Sequence, residues 1–416
     1  MLAVYPGAGR TRGRELRFAR LASTAAAGAA MGAMLPIIAL LILSPSEYGL
    51  FSTIYLFFAY GVSLQYSVIS EAWARARKVT NFGAGWQDYA VALGSLALVV
   101  AAGATATSWL IPELRSLCAL LGLAVLLGVY RSGARYYWAA QGASRRVLIS
   151  DLLGIAAMFV VLGLFHDAAG LLLISASWSV SVAASAVALG LPGLHRSAGP
   201  FAWVRRHASE IKPLLMDSTL MDVGAVGTPF LLVGSMGAEK FGIYRGISSA
   251  AMPVRLLVDP LRPALGNLPS EFLFRTKPAV IVWTLALLIG GVSYCVLEWL
   301  VPSLPFRMGT LSELVAYAEP AAIFAASNFI GHVFYVVSRT NLNSRTLMSG
   351  RIFQTIVVVV MPVLGFLLQG LFGAIWGFAV SAAASALIWV YLNSSNRSVD
   401  GTQRVTRPDQ IRVSQD

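Results

Sequence analysis

Twelve stretches of this chain are apolar enough and long enough to cross a lipid bilayer, a distance that takes about 20 helical residues. They cover residues 21–43, 50–70, 88–111, 117–138, 147–165, 168–191, 213–235, 242–268, 279–300, 314–338, 351–368 and 371–392. Hydrocarbon offers no water to backbone N–H and C=O groups, so spanning segments of this kind must be helices. Composition agrees: 57% of residues are hydrophobic, only 12% are charged and mean hydropathy is +0.71, whereas a soluble domain carries about 25% charged residues. The sequence predicts an all-α polytopic membrane protein with twelve transmembrane helices.

The basic residues test the count. With the N-terminus placed inside, 26 of the 31 Lys and Arg fall in the tails and alternate loops assigned to the inner side. The outer loops hold only Arg115, Lys240 and Arg307, and Arg245 and Arg255 lie within the eighth span. This alternation follows the positive-inside rule, so both termini are expected in the cytoplasm. It also explains the formal charge of +12. The basic side chains face anionic lipid headgroups, and no nucleic-acid partner is expected. The first span has no small-residue cleavage site behind a short apolar core and reads as an uncleaved span. Cys118 and Cys295 each sit in an apolar stretch, with neither disulfide nor metal spacing.

The chain divides into a basic tail (1–20), a first six-helix bundle (21–191), a linker (192–212), a second six-helix bundle (213–392) and a polar tail (393–416) expected to be disordered. In the linker, Trp203 with Arg205, Arg206 and His207 reads as an amphipathic segment at the membrane surface. The halves repeat weakly. Glu47-Tyr48-Gly49-Leu50-Phe51 after the first span matches Glu239-Lys240-Phe241-Gly242-Ile243-Tyr244 after the seventh. Ser181-Val182-Ala183-Ala184-Ser185-Ala186 matches Ser381-Ala382-Ala383-Ala384-Ser385-Ala386, although convergence on small residues for close helix packing gives the same pattern. Six spans per half is an even number, so the bundles should be related by a pseudo-two-fold axis along the membrane normal.

The eighth span is the least ordinary. Arg245, Ser248/Ser249, Met252, Arg255, Asp259 and Arg262 follow at steps of three and four, within an arc of roughly 100° on a helix. Charges at membrane depth cost about 2.5–3.5 kcal/mol each on insertion scales and usually face a protein interior or wet cavity. Two readings stand: a cavity wall that receives an anion, or structural pairing of Asp259 with Arg255 and Arg262. Pro253, Pro260 and Pro263 should kink this helix.

The six-plus-six count and the Pro45-Ser46-Glu47-Tyr48-Gly49 turn resemble the multidrug/oligosaccharidyl-lipid/polysaccharide exporter superfamily, and within it the polysaccharide-biosynthesis, O-antigen type flippases. The resemblance covers the whole membrane part, and that turn is its most specific piece. It implies two bundles around a cavity that opens alternately to each side, lined by the first, second, seventh and eighth helices. It implies an undecaprenyl-diphosphate-linked oligosaccharide as substrate, flipped from inner to outer leaflet, with membrane lipids and other polysaccharide assembly proteins as partners. Arg245, Arg255 and Arg262 would then hold the diphosphate, since each guanidinium can fork onto phosphate oxygens.

In the second span Tyr60, Ser63/Leu64, Ser67 and Glu71 share a helical face suited to sugar rings, or Tyr66 and Glu71 are anchors at the inner interface. In the seventh, Asp217 and Asp222 lie about 140° apart. Asp222 shares a face with Ser218 and reads either as a cation-coupling carboxylate or as a partner for an arginine of the eighth span. His332, with Asn328, Tyr335 and Arg339, has the spacing of one helical face and reads as a packing residue before a titrating one. No Walker loop, metal spacing or catalytic set is present, so neither a cofactor nor an enzymatic activity is expected. The rivals are a cation-coupled drug exporter of the same fold, a sugar polymerase or ligase, and an inactive scaffold of a glycan assembly complex.

Overall fold

The computed structural model describes residues 9–80, 85–168, 170–191, 199–250, 265, 268 and 270–405. Arg255, Asp259, Arg262 and the three prolines of the eighth span lie outside the described residues, as do 192–198 of the linker and the tail beyond 405. Among the described residues the chain is helical throughout, with no strand. Among the described residues, eight helices are long and apolar enough to span a membrane by length and composition.

Two of those eight cannot be single passes. Residues Ala208–Ser249 and Arg345–Ser395 run for 42 and 51 residues, and at 1.5 Å per residue each exceeds the ~30 Å hydrocarbon core by a wide margin. Each is broken at a glycine with positive φ, Gly237 at 74° and Gly370 at 61°, a backbone region costly for any residue with a Cβ. The breaks fall where the sequence separates the seventh span from the eighth and the eleventh from the twelfth.

Packing divides the chain into two compact units, residues 1–249 with 308–310, and residues 250–307 with 311–416. The first contains α1 (Gly9–Ile42), α2 (Pro45–Gln65), α3 (Glu71–Thr80), α4 (Trp86–Leu110), α5 (Cys118–Ala140), α6 (Ser144–Leu164), α7 (Gly170–Leu189), α8 (Gly199–Arg206), α9 (Ala208–Asp222) and α10 (Thr228–Ala250). The Pro45–Gly49 motif has a physical role. Ser44 caps α2 in a reciprocal capping box with Glu47 and Pro45 opens the first turn, which together satisfy donors that a helix start leaves orphaned. Serines stitch α6 to α7: Ser150 meets Ser185 at 2.7 Å and Ser181 donates to the Gly154 carbonyl at 2.8 Å. Such bonds and small residues replace the hydrophobic drive that lipid removes.

The sequence places Trp203 on an amphipathic surface segment. α8 is indeed a short helix, but Trp203 turns into the protein: it is 3% exposed and donates to the Val68 carbonyl at 3.0 Å. Phe201, 90% exposed, is the apolar side chain that α8 leaves to its surroundings.

The second unit contains α11 (Thr276–Cys295), α12 (Ala318–Asn341) and α13 (Ser344–Val405, broken at Gln369 and Gly370). Phe329, Val333, Phe334, Val337 and Trp389 form its core with Leu273, Val282 and Ala286. The element order of the first unit recurs in it at an interval of 200: helices begin at Cys118 and Ala318, at Ser144 and Ser344, and at the breaks or turns before Gly170 and after Gly370. The matched serines are used differently. Ser185 bonds across to α6, whereas Ser385 donates to the Ser381 carbonyl of its own helix at 2.7 Å.

Candidate functional site

The described site residues gather in the first unit around α2. That helix ends in a wide π turn, Tyr66–Ser70, before continuing as α3. A π turn adds one residue to the ladder, and one residue is about 100° of helix phase. Glu71 therefore leaves the face it would share with Tyr60 and Ser67 on an unbroken helix, and lies half-buried, within electrostatic reach of Tyr136. Ser67 is 4% exposed, its hydroxyl spent on the Ser63 carbonyl at 3.1 Å. Tyr60 is 39% exposed and Tyr66 37%, the latter edge-on to Tyr136 at 5.9 Å, while Tyr55 packs on Trp178 at 5.7 Å between ring centres.

α9 carries the acids. Asp222 is 7% exposed and takes the Ser63 hydroxyl as a hydrogen bond, while its Oδ2 is buried with no partner among the described residues. A second π turn, Val223–Gly227, follows it directly. A buried carboxylate oxygen without a donor costs about 1–3 kcal/mol, more if charged, unless a proton or cation supplies the missing contact. Asp217 is half-buried on another side of the helix, so the two acids do not form one site. Among the described residues no group of three or more His, Cys, Asp or Glu could hold a metal ion.

α10 meets the start of α2. The Tyr48 hydroxyl and Ser249 Oγ lie 2.6 Å apart. Arg245, half-buried on α10, is close enough to Tyr48 and Tyr244 to act on both electrostatically. Gly49 and Gly242, the glycines matched in the repeat, nest against each other's helices. A Cβ on Gly49 would run into the carbonyl of Ala238, and one on Gly242 into the carbonyl of Pro45. The contact is reciprocal, because Pro45 stands to Gly49 as Ala238 stands to Gly242.

One cluster escaped the sequence reading. Arg131 and Arg135, counted there among the inner basic residues, both bind Asp151 of α6, which is fully buried. The signal was two arginines four residues apart facing a lone acid in the next span.

A polytopic helical membrane protein with ionisable side chains held inside its bundles is the class that fold and site define. No family model and no curated relative matches the chain. Among solved structures it is similar to an inward-facing multidrug resistance MATE family transporter of the MOP superfamily, at 13% identity and a TM-score of 0.58, over 93% of this chain and 96% of that one. The outward-facing form of such a transporter matches at 12% identity and 0.54, over 94% and 96%. A eukaryotic MATE transporter matches at 12% and 0.51, over 92% and 98%. The chain therefore has the fold of these MOP-superfamily transporters along nearly its whole length.

Proposed function

We propose that the chain is a bacterial inner-membrane transporter that exports its substrate by alternating access, driven by a cation bound at Asp222. The observation that carries the coupling is the buried Asp222 Oδ2 without a donor, beside Ser63. The fold likeness to transporters in both inward- and outward-facing forms supports the alternating cycle, and the multidrug titles of those neighbours make a small-molecule exporter the first reading. Two glycine breaks in over-long helices, together with α1 and α2, support twelve spans with both ends in the cytoplasm. The interval of 200 between helix starts supports two six-helix bundles.

The test is transport by the purified protein in liposomes under an imposed proton or sodium gradient. Gradient-dependent efflux that Asp222→Asn abolishes, at unchanged folding, is the expected result. Gradient dependence that survives Asp222→Asn overturns the coupling site.

A second reading has its own observation. The sequence spacing of Arg245, Arg255 and Arg262 would put them on one face of an unbroken eighth span, which suits an anionic cargo such as a polyprenyl-diphosphate-linked oligosaccharide, with Tyr60 and Tyr66 exposed for its sugars. Deleting the gene should then accumulate a lipid-linked oligosaccharide on the cytoplasmic leaflet. Full activity in an Arg245→Ala, Arg255→Ala double variant at normal expression argues against this cargo.

A further inference from the structure

Asp151 sits at 0% exposure between two guanidinium groups. Arg131 Nη2 reaches it at 2.5 Å and Arg135 Nε at 3.0 Å. Arg131 Nε donates to Ser185 of α7 at 2.7 Å, and Arg135 Nη2 donates to the Thr24 carbonyl of α1 at 2.8 Å. The guanidinium of Arg135 occupies the space that a side chain at Gly28 would fill. Two cations thus share one anion, and arginine does not deprotonate at any working pH. A surplus positive charge in a membrane-embedded cluster is costly unless something compensates it.

Among the described residues the protein supplies no further counter-ion. Neither Nη1 has a partner among the described residues, and the Arg135 side chain keeps 26% of its surface open. The second unit handles its buried cation otherwise. Arg351, 200 positions after Asp151, lies 4.2 Å over the ring of Tyr335, itself 200 after Arg135, and 5.7 Å over Trp389. Its Nη1 donates to Gln354. Aromatic faces absorb that charge, whereas among the described residues no ring covers the surplus at Arg135. The cluster also stands at the end of the spans that the Lys and Arg distribution assigns to the cytoplasmic leaflet, where anionic headgroups are dense.

We infer that Arg131 and Arg135 form a docking site for a phosphate group, which closes the charge count of the Asp151 cluster and takes the open face of the Arg135 fork. Arg–phosphate forks are planar and bidentate, and basic pockets between spans on the cytoplasmic side suit phosphate-bearing headgroups. The phosphate can arrive on an anionic phospholipid or on a polyprenyl phosphate, and the site does not depend on which cargo the protein moves.

The test is thermal unfolding of the full-length protein in neutral detergent, titrated separately with phosphatidylglycerol, undecaprenyl phosphate and inorganic pyrophosphate. A saturable rise in Tm is expected. Arg135→Gln should raise the half-saturating concentration tenfold or more, Arg135→Lys should fall between, and Arg145→Gln should match the wild type. A rise with phosphatidylglycerol alone assigns the headgroup as the source. A rise with undecaprenyl phosphate alone assigns the polyprenyl carrier, and a rise with pyrophosphate as well assigns the bare phosphate. No saturable rise with any of the three, or equal titrations for wild type, Arg135→Gln and Arg135→Lys, overturns the site. If Arg135→Gln does not fold, Arg135→Lys decides, since it keeps the charge and loses the fork.

Discussion

Gly49→Ala and Gly242→Ala test the reciprocal contact between α2 and α10. A methyl at either position would run into a backbone carbonyl, of Ala238 or of Pro45, and a carbonyl inside a helix cannot rotate away as a side chain can. Overpacking of this kind costs about 1–3 kcal/mol. The cost applies only to the conformation in which the two turns touch. If they separate when the cavity opens on their side, about 2 kcal/mol shifts the equilibrium roughly 30-fold toward the separated form. One separation relieves both collisions, so the double variant should cost little more than the worse single one, a deficit that a double-mutant cycle reads directly. The assay is crosslinking of a Ser46→Cys, Glu239→Cys pair in a chain whose Cys118 and Cys295 are serine. Crosslinking should slow by an order of magnitude or more in each glycine variant. Crosslinking at the wild-type rate in folded Gly49→Ala and Gly242→Ala proteins would refute the reasoning, since the contact would then tolerate the methyl.

Ser63→Ala removes one hydrogen bond to Asp222, worth about 1 kcal/mol, and should weaken cation dependence of transport roughly fivefold without abolishing it. Asp151→Ala leaves two inward guanidiniums without their acid and should destabilise the protein by about 3–5 kcal/mol in detergent unfolding; a loss no larger than that of an exposed substitution would show that the cluster is solvated. Arg351→Lys keeps the charge but gives up planar stacking on Tyr335 and should lower stability by about 1 kcal/mol, read from the same unfolding curve. Cysteines at Ser46, Ala238 and Ser312 should label from outside, and those at Ser144, Ser209 and Ser344 should not; outside labelling at Ser209 would break the division into two sets of six.

Much of the fold was legible because hydropathy is a one-dimensional property. Each helix from α4 to α7 lies within a few residues of its apolar stretch, and the breaks at Gly237 and Gly370 fall between predicted spans. The turn at Pro45–Gly49 was legible as a motif, and its chemistry is local: Ser44, Pro45 and Glu47 build one capping box. The site was less legible for two physical reasons. A face drawn at 3.6 residues per turn assumes an unbroken ladder, and the π turn at Tyr66–Ser70 moves Glu71 off the face of Tyr60. The pairing of Arg131 and Arg135 with Asp151 depends on which helices pack together, and loop-charge counting assigns such arginines to the surface by default. The amphipathic segment at Trp203 was legible as a short helix, but not that Trp203 turns inward, which depends on Val68 accepting its N–H.

The repeat conserves geometry more strictly than chemistry. Helix starts recur at an interval of 200, yet the equivalent interior positions solve the same electrostatic problem in opposite ways. In the first unit a carboxylate, Asp151, is buried and arginines come to it. In the second the cation itself, Arg351, is buried at that position, and a tyrosine and a tryptophan receive it. What a low-dielectric interior demands is compensation of each charge, by a counter-ion or by an aromatic face; it does not demand a particular sign. Helix boundaries have no such latitude, because bilayer thickness and the glycine turns set them. A weak sequence repeat with matched helix starts is therefore what repeated stretches of this kind should show. The equivalent positions differ in charge at Arg135 against Tyr335 and at Asp151 against Arg351, and the proposed phosphate site rests on that difference.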